Sequence, residues 1–511
     1  ATARGGDGDI TVTASRVGPF QSGSHEIVWT ATDSVGSIET ATQMIKVHPL
    51  ANFCTNMLTT EGSKPEAHIW LSGHAAVYPV MIPFEVSGTA TEGDDYAVTQ
   101  SGTITIEEGT FGTINLNIVA DGDAESEEMV QIILGDLVNA ARGVASAQTW
   151  SIVEGNLPPN AMLMMSQDGV IGNTLVADGG TVTVSVIITD ANGGDQHTVD
   201  WMDALGLPNA VVDTSGQALS FSAAEQGAIT IFVDVSDGMD SITVSSSAVV
   251  LVTAPTLAFD ADTDGDGISD AAEGYGDSDG DGMPDYQDNI AASNVVPMDN
   301  GFMQTEACTL VSLGAASLVM GDNNVTVSES ELVALGMVVD AGYDYPSHLV
   351  DFAVTGADLG HTYKVVMPLS QPLPNGAVYR KYLGENIGWQ MFVENADNAV
   401  ATASALKGAC PHPGSEAYTP GLTAGDNCLQ LLIQDGGPND SDGAVNGTTT
   451  DTGGIAVKFI GTPSKNSEVI LRQTVITANA VDSTVVTVTA YDDQGVGLEH
   501  MSVTGSMPLM G

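Results

Sequence analysis

Apolar and polar residues alternate in short runs along most of this chain, and Gly, Asn and Asp bound the runs. Gly102-Thr103-Ile104-Thr105-Ile106 and Ile114-Asn115-Leu116-Asn117-Ile118 are clear cases. A period of two puts alternate side chains on opposite faces, so these segments predict half-buried β-strands. Helical spacing is confined to short pieces such as Ser328 to Leu335, where Ser328 and Glu331 stand at capping-box distance. Turn clusters recur at roughly the 8 to 12 residue spacing of serial sandwiches rather than of one large barrel. The expectation is all-β: tandem Ig-like β-sandwich domains strung like beads.

Prolines mark the junctions, because each removes a ladder donor and stiffens the chain. His48-Pro49, Leu157-Pro158-Pro159-Asn160, Ala254-Pro255 and Thr462-Pro463 divide the sequence into units at 1–48, 49–157, 158–254, 255–290, 291–462 and 463–511. The length of 511 residues suits several domains.

Charge narrows the function classes. Lys plus Arg number 12 against 65 Asp plus Glu, a net charge of −53. Phosphate neutralisation needs clustered basic residues, so nucleic acid and polybasic membrane contact are excluded as partners. With 43% apolar residues and acidic residues gathered in clusters, the chain is expected to fold. No run approaches the roughly 18 to 20 apolar residues of a membrane span, and Ala1-Thr2-Ala3-Arg4-Gly5-Gly6 does not read as a signal. A soluble segment without direct membrane insertion is expected. Four cysteines suit an oxidising compartment. Cys410 and Cys428 flank the turn-rich Pro411-His412-Pro413-Gly414 and predict a stapled loop, while Cys54 and Cys308 are left open as a second pair.

The sharpest chemistry lies in Asp262-Thr263-Asp264-Gly265-Asp266-Gly267-Ile268-Ser269-Asp270-Ala271-Ala272-Glu273. Oxygen ligands fall at loop positions 1, 3, 5, 9 and 12, with Gly at 6 for the turn and the Ile268 carbonyl at 7, the pattern of a calcium loop. Fifteen residues on, Asp277, Asp279, Asp281, Gly282, Met283, Asp285 and Asp288 occupy the same positions. The tandem resembles thrombospondin type 3 repeats, which implies Ca²⁺ held for structure. Without cations the clustered carboxylates repel, so the expected role is a rigid spacer made from an otherwise flexible linker. The alternative is an acidic linker without metal.

Other segments carry further resemblances. Gly23-Ser24-His25-Glu26-Ile27-Val28-Trp29-Thr30-Ala31-Thr32-Asp33 and the strand after it resemble half of a hyalin-repeat sandwich. Phe84-Glu85-Val86-Ser87-Gly88-Thr89-Ala90-Thr91-Glu92-Gly93-Asp94-Asp95-Tyr96 and Asp121-Gly122-Asp123 resemble a Calx-β domain. That resemblance implies a cation site at one sandwich end from Glu61, Asp94, Asp95, Asp121, Asp123 and Glu127, set against plain acidic loops; the module ends Glu154-Gly155-Asn156 where binding members have an aspartate run. His197-Thr198-Val199-Asp200-Trp201 and Val233-Asp234-Val235-Ser236-Asp237-Gly238 resemble a polycystic-kidney-disease-type or cadherin-like sandwich. Ala377-Val378-Tyr379-Arg380-Lys381-Tyr382, Gly388-Trp389 and Asp435-Gly436-Gly437-Pro438-Asn439-Asp440-Ser441-Asp442-Gly443 resemble the bacterial choice-of-anchor family. There Asp435, Asn439, Asp440, Asp442 and Asn446 are a further metal candidate, set against a Gly-Asp turn.

Catalytic constellations are missing. There is no His-Glu-x-x-His and no phosphate-binding Gly-rich loop. Gly276-Asp277-Ser278-Asp279-Gly280 fits a nucleophile elbow only formally, being inside a calcium loop. His25 and His197 read as packed or surface residues, and Trp29, Trp201 and Trp389 as core anchors. A non-enzymatic bacterial surface protein is expected. Three strand-like runs near the start and three after Glu468, the latter resembling half a bacterial Ig-like domain, suggest strand exchange between copies. The readings are a structural subunit of an extracellular filament or surface assembly, partnered by copies of itself or other surface proteins, or a fragment of a calcium-dependent adhesin. A stalk of a secreted enzyme is the third.

Overall fold

The computed structural model describes residues 2–16, 20, 22–54, 57–120, 128–177, 179–290, 292–321, 324–405 and 409–458, with the strands Glu468–Leu471 and Val486–Thr489 beyond them. The fold is all-β. Alternation does what its period requires: in Phe111–Ile118, Ile114, Leu116 and Ile118 are buried while Asn115 and Asn117 are half-exposed. The one helix read from its cap forms as Glu329–Ala334, with Ser328 and Glu331 in a reciprocal capping box. Among the described residues no helix is long and apolar enough to cross a membrane.

Thr11–Ala14, Gly23–Thr32 and Ile38–Val47 make one antiparallel three-stranded sheet. Residues 50–153 form a sandwich of two five-stranded sheets around Ile69, Ile82, Ile114, Ile132 and Trp150. Gly88 ends the strand Val80–Gly88 with a positive φ, and a Cβ there would collide with the Met129 carbonyl oxygen. Residues 160–251 form a second sandwich, of five and four strands, around Val184, Leu219, Phe221 and Val233. Residues 295–458 carry sheets of six and seven strands that enclose Phe352, Tyr363, Leu431 and Ile455. Of the runs after Glu468, the structure describes only Glu468–Leu471 paired with Val486–Thr489; the rest lie outside the described residues.

The beads do not lie in a row. Cys54 of the first sandwich is bonded to Cys308 of the last module, 254 residues away, alongside the Cys410–Cys428 bridge. The Leu58 amide donates to Asp358 (3.1 Å), Asn160 Nδ2 to the Ala357 carbonyl (3.3 Å) and Asn446 Nδ2 to the Thr243 carbonyl (3.0 Å). The last module therefore touches both earlier sandwiches. Nor is the acidic segment an extended spacer: Met283 and Tyr286 are buried, the Asp277 amide donates to the Ile171 carbonyl (3.0 Å) and the Leu313 amide to the Asp281 carbonyl (2.7 Å). It is a wedge between the second sandwich and the last module. Local periodicity specifies strands but carries no information on how separate cores dock.

Replacing Cys54 and Cys308 together by Ser should lower the stability of the docked arrangement by about 2–5 kcal/mol. Thermal unfolding would read the loss, and small-angle scattering would show a larger radius of gyration.

Candidate functional site

The two loops of the wedge share one hydrogen-bond plan, offset by fifteen residues. Asp262 accepts from the Gly265 (2.8 Å) and Gly267 (3.2 Å) amides, as Asp277 does from Gly280 (2.7 Å) and Gly282 (2.9 Å). Asp266 accepts from the Ile268 amide (2.6 Å) and Asp281 from the Met283 amide (2.7 Å). At position 9, Asp270 takes the amide and hydroxyl of Thr263 (2.7 and 2.8 Å), and Asp285 those of Ser278 (both 2.8 Å). Gly267 and Gly282 adopt φ of 100° and 96°, which explains glycine at position 6. Each loop closes in a single helical turn, Asp270–Glu273 or Asp285–Gln287, bringing position 12 back toward position 1.

This plan leaves carboxylate oxygens over. Asp262, Asp264 and Asp266 present ligand atoms within 4.8 Å of one another, and so do Asp277, Asp279 and Asp281. Asp264 Oδ2, Glu273 Oε2, Asp279 Oδ2 and Asp281 Oδ2 are removed from water without a hydrogen-bond partner among the described residues. Such groups are costly unless something positive meets them. Burial pushes Asp281 up to about 9, with Asp279 and Asp288 adding repulsion; burial likewise lifts Asp288 to about 7 and Asp277 to about 6. Asp264 and Glu273 are raised by the same desolvation first, then by neighbouring carboxylates. The loops differ in depth: Ile268 is exposed and Met283 buried. A hard cation fits both. Carboxylates at positions 1, 3, 5 and 12 and the carbonyls of Ile268 and Met283 would hold it, while Asp270 and Asp285 brace the loop through their Thr and Ser partners.

The remaining candidates fare differently. The loops of Glu61 and Asp95 meet at one sandwich end, where the Ile118 amide donates to the Ser63 carbonyl (3.0 Å) and the Val119 amide to the Asp95 carbonyl (2.8 Å). Asp94 is exposed there, and Asp95 accepts the Thr91 amide (2.6 Å). Asp121, Asp123 and Glu127 lie outside the described residues. In the last module every side-chain oxygen of the candidate aspartates is engaged. Asp435 accepts the Gly360, Asn446 and Gly447 amides, Asp440 those of Gly436 and Thr450, and Asp442 the Ala444 amide and Asn446 Nδ2. Asn439 clamps both backbone groups of Val393. These five residues form a hydrogen-bonded knot, in which burial and then the neighbouring Asp442 push Asp440 up to about 7.

One cluster escaped the sequence reading. Asp190, Asp195 and Asp237 gather where the first two sandwiches meet, with Asn156 Nδ2 donating to Asp237 (2.8 Å) and His197 Nε2 paired with Asp190 at 2.8 Å. The Asp-x-Asn-x-x-Asp spacing of Asp190, Asn192 and Asp195 was the available signal.

No family model and no curated protein matches the chain. Among solved structures, the apo-form Calx CBD1 domain is similar at 16% identity and a TM-score of 0.20, covering 22% of this chain and 100% of that one. The CBD12 pair of CALX1.2 gives 14% identity and 0.19, over 36% and 79%. Extracellular cadherin domains 1–4 of protocadherin gamma B7 give 12% and 0.18, over 68% and 88%. None of these scores transfers a function.

The raised carboxyls fix a pH signature for the chelator-treated chain. Unfolded Asp titrates near 4, about two to five units below these folded values. Their contribution to stability is complete below about pH 4 and is lost as pH rises through about 6, 7 and 9. Melting temperatures taken with chelator should fall across that window, and divalent cation should flatten the slope.

Proposed function

We propose that this chain is a non-enzymatic structural subunit of an extracellular bacterial filament or surface assembly, held in shape by calcium in the two aspartate loops. The observation that carries the reading is the set of buried, unpartnered carboxylate oxygens, two in each loop: Asp264 and Glu273 in the first, Asp279 and Asp281 in the second, with Asp264 and Asp279 at the same loop position. An all-oxygen donor set without His or Cys favours a hard cation, and irregular loops that supply six or more oxygens favour Ca²⁺ over the stricter octahedron of Mg²⁺. Bound calcium would supply the positive charge these oxygens lack. The chain then does the rest. Asp277 and Asp281 pin the wedge through their own backbones to Ile171 and Leu313, so filling the second loop ties one core to the next.

Two disulfides suit an oxidising exterior, and the acidic composition suits saline water, where screening shortens self-repulsion. Assembly draws on the N-terminal sheet. Its edge strand Ile38–Val47 is exposed over its first seven residues, and an open edge is a template for a strand from another copy. Such a contact is heterologous and extends into a fibre. The second reading, a calcium-dependent adhesin, draws on a cleft of about 230 Å³ between the first sandwich and the last module, lined in part by Trp70, Lys364 and His412.

Calcium at a thousand times its Kd would add about 4 kcal/mol per site. The chain should therefore melt markedly higher in millimolar calcium than in chelator, and Asp277→Ala with Asp281→Ala, which removes the second site alone, should abolish about half of the stabilisation. Negative-stain microscopy in calcium should show fibres or sheets. A monodisperse monomer under those conditions would defeat the assembly reading, and an unchanged melting temperature would defeat the calcium reading.

A further inference from the structure

The seven-stranded sheet of the last module holds a pair of charges that neither the fold nor the calcium loops account for. Lys381 on Val378–Tyr382 and Asp451 on Thr448–Lys458 lie on adjacent antiparallel strands, in a register that sets Lys381 opposite Gly453. Lys381 Nζ is 3.0 Å from Asp451 Oδ2, and the two side chains are 1% and 0% exposed. An ammonium has three protons to place and a carboxylate two oxygens to satisfy. Here Nζ lies off the hydrogen-bond line, and Asp451 Oδ1 has no donor among the described residues. The Tyr379 hydroxyl, 3.3 Å from Oδ2, supplies the hydrogen bond that Asp451 does receive. Gly453 makes the room: a Cβ there would sit 2.8 Å from Asp451 Oδ1 and 2.9 Å from the Tyr379 ring.

We propose that Lys381 and Asp451 condense into an intramolecular amide, a covalent cross-link between neighbouring strands. The step balances within the pair. One proton passes from Nζ to Oδ2, giving an amine and a carboxylic acid. The Nζ lone pair attacks Cγ, the Cγ–Oδ2 bond breaks, and a second Nζ proton leaves with Oδ2 as one water. The amide keeps one N–H, with Oδ1 as its carbonyl oxygen, and no oxidant or co-reactant takes part.

Three features favour this chemistry. The nucleophile and electrophile are held in contact by a sheet, which removes the entropic cost of encounter. Burial drives Lys381 toward the neutral amine, and drives Asp451 toward the neutral acid. The Tyr379 phenol, kept protonated by burial, donates to the oxygen that departs. The product exchanges two poorly satisfied buried charges for one neutral amide, in a core from which water is excluded. Asp351, Asp440 and Asp442 stand close enough to act on the pair electrostatically, Asp351 on Asp451 and the other two on Lys381.

Intact-mass spectrometry of the purified full chain, with disulfides reduced, tests this directly. The expected mass is lower than the sequence mass by one water, with a tryptic digest yielding a branched peptide that joins Lys381 to Asp451 and no cleavage after Lys381. Asp451→Asn should give the same cross-link by losing ammonia, and Lys381→Arg should carry its full mass. A wild-type chain at full sequence mass, or a water deficit that persists in Lys381→Arg, overturns the proposal. The mass of the wild-type chain is decisive by itself, so a variant that fails to fold does not obscure the outcome.

Discussion

The arrangement of this molecule turns on a ladder of carboxylates, part of which is packed against two β-cores. Ten carboxylates lie between Asp262 and Asp288. In an extended linker their repulsion would be screened within about a Debye length and cost little. Placed against two β-cores they lose that screening. Asp281 is fully buried and its carboxyl is pushed up to about 9, whereas its counterpart Asp266 in the first loop stays exposed. Packing Met283 and Tyr286 buries the second ring of oxygens, so at neutral pH Asp281 must either keep its proton or be met by a positive charge.

The last module treats buried charge in three other ways. Arg380 meets Asp340 through two hydrogen bonds of 2.8 and 2.7 Å, with the Tyr345 hydroxyl completing the carboxylate, so that pair is internally satisfied. Asp351 collects the Ala316 and Ser317 amides and the Thr452 hydroxyl, anchoring the start of the helix Ala315–Met320 to the sheet. Lys381 and Asp451 have neither solution, which sets them apart from both. Adjacent residues Arg380 and Lys381 thus face opposite sides of one strand and different fates, a distinction that composition cannot express.

What the sequence revealed followed from how local each signal is. The loop ligands sit at fixed offsets within twelve positions, so both loops and their glycines could be read directly from spacing. Strand periodicity and the Ser328–Glu331 cap are equally local. The candidate at Asp435 to Asn446 shares the acidic, glycine-rich composition of the two loops but not their offsets. Its oxygens accept backbone amides mostly from the same loop and the strand after it, with Gly360 the one distant donor. The Cys54–Cys308 pair, the burial of the second loop and the Lys381–Asp451 contact all join segments tens to hundreds of residues apart. In the sequence Lys381 is one residue of the anchor-like run Ala377 to Tyr382, and only the sheet register sets it opposite Gly453. His197 read as a bland strand residue because its partner, Asp190, stands across a loop.

The Cys54–Cys308 bond also has a mechanical reading. It short-circuits the backbone: a tensile load entering before residue 54 and leaving after residue 308 passes through two sulfur atoms rather than through the 254-residue span between them. Apart from the strand Leu50–Phe53, which precedes Cys54, both early sandwiches and the whole aspartate wedge sit on that unloaded detour. Their non-covalent contacts are then spared the pulling force, and the traction falls on the strands of the last module, the same strands that Lys381 and Asp451 bring together.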